Sequence, residues 1–104
     1  MNHFEGRDIS AAVIAAYNLY QSGQKEGAVS LAEEIYQGAM EYFGPEHSQT
    51  VSALDTLIVY CEGAGQAEKA REYTRIAFEK SAAAFGENDE RTLRFCRMLK
   101  ESEG

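Results

Sequence analysis

Two histidines, two cysteines and one adjacent pair of glutamates are the side chains of this sequence that could do chemistry on their own. His3 and His47 have neither a cysteine nor an acidic pair at metal-ligand spacing, and two isolated histidines do not make a zinc site. His47 sits between a turn and an apolar periodic run, where a residue caps a helix start. Glu33 and Glu34 are neighbours on a helix-period segment, so they point in different directions and do not form a paired acid and base. Cys61 and Cys96 form no CxxC motif and lie among apolar neighbours, which reads as small buried hydrophobes in a reduced, cytoplasmic setting. No G-x-S-x-G or P-loop glycine pattern occurs. The expectation is a non-enzyme with no catalytic residue, no metal and no cofactor.

Charge narrows the partners. The formal net charge is −7, and residues 1–47 hold seven acids against Arg7 and Lys25. Nucleic-acid binding needs a cationic surface that releases counterions, and here lysines and arginines form no run. No nucleic-acid partner is expected, whereas an acidic half can steer a basic protein. The most apolar stretch, ISAAVIAAYNLY at residues 9–20, is too short to cross a bilayer. The preceding MNHFEGRD lacks the positive charge of a signal peptide. No membrane partner is expected.

The elements that must position any site are helices. Hydrophobic content is 44% and a single proline occurs in 104 residues, with alanine, glutamate, leucine, lysine and arginine prominent. That composition favours one all-α domain. FGPEHSQT at 43–50 returns as FGENDERT at 85–92, an offset of 42 residues. The same offset brings Gly23, Gln24, Glu26 and Ala28 onto Gly65, Gln66, Glu68 and Ala70, and Ser10 and Ala11 onto Ser52 and Ala53. Self-similarity at such a period marks a repeat architecture. Within a unit, Ala28, Leu31, Ala32, Ile35 and Ala39 make one stripe with glutamates opposite, and the glycines supply left-handed breaks. The expected helices are 8–22, 25–43, 48–63, 67–85 and 89–102, following a tail at 1–7.

The joint FGPEHS and the turn SGQKEGA resemble those of the tetratricopeptide repeat (TPR), in the 42-residue variety found in kinesin light chains. The likeness covers about residues 9 to 100. It implies repeat 1 at 8–43, repeat 2 at 48–85 and a terminal helix at 89–102, stacked as a right-handed α-solenoid within a single domain, 8–104. It also implies a protein-binding module whose first helices line a concave surface. Carried over by position, the contact candidates are Val13, Tyr17, Tyr20 and Gln21 in the first repeat, Asp55, Val59 and Glu62 in the second, and Arg94 and Arg97 in the last helix. The family often carries an Asn-Asn pair in each first helix. The matching pairs here are Val13-Ile14, Asp55-Thr56 and Arg97-Met98.

Residues 9–17 have almost no polar face, and a helix apolar all round is normally buried on more than one side. The expected partner is therefore another protein or peptide, with homodimerisation through this helix as a further expectation. The alternative function is structural self-association, or membership of a larger repeat assembly.

Overall fold

Left-handed backbone is needed wherever a helix must stop within a few residues and the next begin, and glycine adopts it without a steric penalty. The computed structural model describes the backbone of residues 6–103 and the side chains of residues 11–101. Its regular elements are all helices: α1 (Gly6–Gln21), α2 (Lys25–Phe43), α3 (Ser48–Gly63), α4 (Ala67–Phe85) and α5 (Glu90–Glu103). The three middle helices have the bounds expected from the sequence. The first begins two residues earlier than expected, and the last is shifted by one. Residues 1–5 of the expected tail, with His3 and Phe4, lie outside the described residues.

Every break falls on a glycine of positive φ: Gly23 at 90°, Gly44 at 96°, Gly65 at 78° and Gly86 at 102°. After α1, the Gln24 N–H donates to the Leu19 carbonyl at 2.9 Å and the Gly23 N–H to that of Tyr20 at 3.2 Å. After α3, Gln66 and Gly65 repeat both bonds to Cys61 and Glu62. These paired bonds satisfy carbonyls that the helix end would leave orphaned. The starts of α3 and α5, after the other two glycine breaks, are capped by side chains. His47 Nδ1 accepts from the Gln49 N–H at 3.0 Å, and Asp89 Oδ1 accepts from the Arg91 N–H at 2.9 Å.

Each helix packs against its neighbours in sequence, from α1 on α2 through to α4 on α5. One core draws residues from all five helices. The outer helix α1 contributes only Ala12 and Ala16 among its described buried residues, whereas α3 buries Val51, Leu54, Leu57, Ile58, Tyr60 and Cys61. Full burial of one Leu or Ile side chain is worth roughly 1.5–3 kcal/mol, so α3 is the spine of the molecule. Ala28 and Ala70 are buried at equivalent places near the starts of α2 and α4. Their small size lets the preceding helix approach closely.

The 42-residue recurrence is visible in the joints. Thr50 and Thr92 are both fully buried at the starts of α3 and α5. The Thr50 hydroxyl lies 2.7 Å from the Gly44 carbonyl and 3.2 Å from that of Ala39. At the second joint Ala39 is replaced by Ser81, whose hydroxyl pairs with that of Thr92 at 2.8 Å.

Candidate interaction surface

Helices α1 and α3 are not neighbours in sequence and meet through side chains. At one end the Tyr20 and Tyr60 rings stack with centroids 4.6 Å apart and planes at 17°. Gly63 makes this possible. A Cβ there would collide with the Tyr20 hydroxyl and lie 2.7 Å from its ring carbons. Stacking of this kind adds about 0.5–1.5 kcal/mol beyond area burial.

At the other end the two helices part. A cleft of about 200 Å³ opens there, with Val13, Ala16, Ala32 and Ile35 on its α1 and α2 sides. Gln49, Ser52, Ala53 and Thr56 of α3 complete its lining. Among the described residues no charged one lines it. One to two turns along the same helices, Tyr17 on α1 and Val59 on α3 continue the apolar surface, since residues i, i+4 and i+7 share a helix face. Their exposures of 54% and 46%, with 41% for Val13, make them accessible to a partner.

Between α3 and α5 the same geometry is handled differently. The Arg94 guanidinium clasps the Asp55 carboxylate with two bonds, of 2.7 and 3.1 Å. The 42-residue offset maps Asp55 onto Val13 and Arg94 onto Ser52. The place bridged by an ion pair between α3 and α5 is therefore the place left open between α1 and α3. Conversely, the Tyr20 position maps onto Glu62, beside a space of about 280 Å³ lined by Glu62, Arg71, Thr74 and Met98 among others.

Two further polar clusters lie outside this surface. Glu33 Oε2 of α2 accepts from Lys69 Nζ at 2.9 Å and from the Tyr73 hydroxyl at 2.8 Å, tying α2 to α4. Burial and then the bond to Glu33 push the Tyr73 hydroxyl well above its usual range. The hydrogen bond to Glu33 likewise raises Lys69. At the start of α5, the Arg91 side chain and then its backbone N–H hold the Asp89 carboxyl down at about 2. Both cysteines are free thiols, and burial raises that of Cys61. Among the described residues no group of three or more His, Cys, Asp or Glu could hold a metal, and no helix is long and apolar enough to cross a membrane.

The sequence-derived contact candidates divide accordingly. Val13, Tyr17 and Val59 form the apolar exposed edge of α1 and α3. Gln21 and Glu62 are exposed at the ends of those helices. Tyr20 is half-buried in its stack. Asp55 and Arg94 are joined to each other, and Arg97 is exposed one turn beyond Arg94. Sequence reasoning missed the partners that fix these residues: Tyr60, Gly63 and the Glu33 cluster. Gly63 had a legible signal, because a second glycine two residues before the turn glycine Gly65 is not needed to end the helix.

No family model matches the chain, and the search of curated proteins finds no match.

Proposed function

We propose that this protein is a non-catalytic interaction module, a short tetratricopeptide-type right-handed stack of two helical hairpins and a terminal helix. It binds a peptide, helix or protein domain through the surfaces of α1, α3 and α5. Connections of three or four residues between packed helices favour antiparallel neighbours, as such a stack requires. The recurring glycine breaks, joint threonines and hairpin alanines support the repeat reading. The observation that carries the functional reading is the exposed apolar edge of Val13, Tyr17 and Val59 beside an uncharged cleft. Aromatic side chains in such a setting are the usual anchors of protein recognition. Asp55 and Arg94 act as one neutral bridge in this reading, so specificity falls to the apolar edge with Gln21, Glu62 and Arg97 around it. The module works in the cytoplasm, in keeping with its free thiols.

The test is affinity capture from native lysate with wild-type and Tyr17→Glu baits, followed by reconstitution with the captured protein. Equal affinity for both baits would move the binding surface away from α1.

Ile14, exposed at 62%, favours a second reading, in which α1 pairs with α1 of another copy. A self-complementary patch closes most simply about a two-fold axis. Light scattering at high micromolar concentration tests it. A dimer that Val13→Asp or Ile14→Asp converts to monomers supports self-association, and a wild-type monomer removes it.

A further inference from the structure

The two layers are internal controls for each other. In the second layer the Arg94 side chain crosses from α5 to Asp55 on α3 and contacts Met98 Sδ at 3.9 Å. In the first layer the three corresponding residues are Val13, Ser52 and Thr56, and a cleft of about 200 Å³ takes the place of the bridge. Replacing Asp55 by Val13 and Arg94 by Ser52 removes both charges that such a space would hold, and with Arg94 goes the side chain that fills it. An apolar space of about 150 Å³ is enough for a benzene-sized group. The floor is aliphatic, from Ala16, Ala32 and Ile35. The rim is polar and uncharged: Gln49, Ser52 and Thr56 follow one another along α3, and among the described residues their side chains have no hydrogen-bond partner.

We infer that this cleft is the anchor pocket for one bulky uncharged side chain of a peptide partner, of leucine, methionine or phenylalanine size, with lysine or arginine flanking it. The proposal rests on the interaction-module reading above and adds the pocket and the chemistry of its occupant. Cleft and occupant match by exclusion of charge. A buried carboxylate or ammonium would find no counter-ion among the described lining residues, which makes its desolvation costly. The basic flanks follow from the chain's net charge of −7, concentrated in acids over residues 1–47. The rim groups serve the peptide backbone, whose N–H and C=O must be hydrogen-bonded once they leave water.

The experiment uses blocked pentapeptides, acetyl-Lys-Lys-X-Lys-Lys-amide, with X as Leu, Phe or Asp, titrated into the full chain and followed through backbone amide NMR shifts. The Leu and Phe peptides are expected to move the amides of Gln49, Ser52, Ala53 and Thr56, and the Asp peptide to bind at least about tenfold more weakly. Two variants close the cleft in different ways. Val13→Asp with Ser52→Arg transplants the bridge of the second layer, and Ser52→Met fills the space from an exposed position. Either should weaken the Leu peptide at least about tenfold while the circular-dichroism melt stays cooperative. The reverse pair, Asp55→Val with Arg94→Ser, should open a second site whose shifts centre on Arg91 and Phe95. Wild-type affinity in a folded Ser52→Met variant overturns the pocket. Silent cleft amides with shifts at Val59, Glu62 and Arg97 also overturn it, while leaving the broader surface in place. Shifts confined to α2 and α4 count against both.

Discussion

Replacing Thr92 by valine removes one hydroxyl from a fully buried joint and leaves its shape intact, which makes the cost calculable. Among the described residues the Thr92 hydroxyl bonds only that of Ser81, 2.8 Å away and equally buried. Thr92→Val deletes a hydrogen bond worth about 1 kcal/mol and strands the Ser81 hydroxyl, so the total should be about 1–3 kcal/mol. Adding Ser81→Ala removes the stranded group, and the double variant should recover most of that loss, since removing both partners of a buried bond can be nearly neutral. Thr50 offers the contrast. Its partners are the Gly44 and Ala39 carbonyls, which no side-chain substitution can delete. Thr50→Val should therefore cost about 1–2 kcal/mol, and Ala39→Ser should not repair it fully because the valine still offers no donor to the Gly44 carbonyl. Each kcal/mol moves the melting temperature of a domain this size by about 4–8 °C. Urea and thermal melts followed at 222 nm provide the assay. A double variant as unstable as the sum of its two single variants would refute the reasoning, because the two hydroxyls would then act independently.

Ala28→Leu should destabilise by about 1–3 kcal/mol or more through overpacking against the preceding helix, as read from the same melts; an unchanged midpoint would mean that the helices do not approach closely there. The Asp89 carboxyl should titrate at about 2 in a 13C NMR experiment. Because its folded value lies below the ordinary 3.8, its contribution is present above that value and fades as pH falls toward 2; Arg91→Ala should return the titration toward the ordinary range. Tyr73 should be the last tyrosine to ionise on alkaline titration, because burial and the Glu33 carboxylate both raise it. Its contribution to stability is complete below the ordinary tyrosine value of 10.0 and is lost as pH rises beyond it; Glu33→Gln should let Tyr73 ionise earlier, seen as tyrosinate absorbance.

The helices were legible because their stops have a local cause. A glycine that must take positive φ is visible in the sequence, and so is a 3.6-residue apolar stripe between two such glycines. The start of α1 was less legible: the capping residue type in GRD, Asp8, lies two positions inside the observed start, and no periodic apolar residue marks the first turn. Apolar candidates such as Val13, Tyr17 and Val59 were named through the register of the repeat that the sequence resembles, and the structure leaves all three exposed. The bridge between Asp55 and Arg94 could not be reached that way, because the two residues lie 39 apart and come together only through the packing of α5 beside α3. The Tyr20 stack is similar. Its partner Tyr60 and the permissive Gly63 belong to another helix, and nothing near Tyr20 in the chain announces either.

The central claim, that partners are bound on the exposed surface of α1 and α3, is tested most directly by site-specific photocrosslinking. The photoreactive residue p-benzoylphenylalanine would be placed singly at Tyr17, at Val59 and at Tyr42, which is also exposed but lies on α2. Irradiation in cells should give a discrete crosslinked species from positions 17 and 59, reduced by Val13→Asp, and none from position 42. A product from position 42 alone, or products at 17 and 59 that Val13→Asp leaves undiminished, would contradict the account.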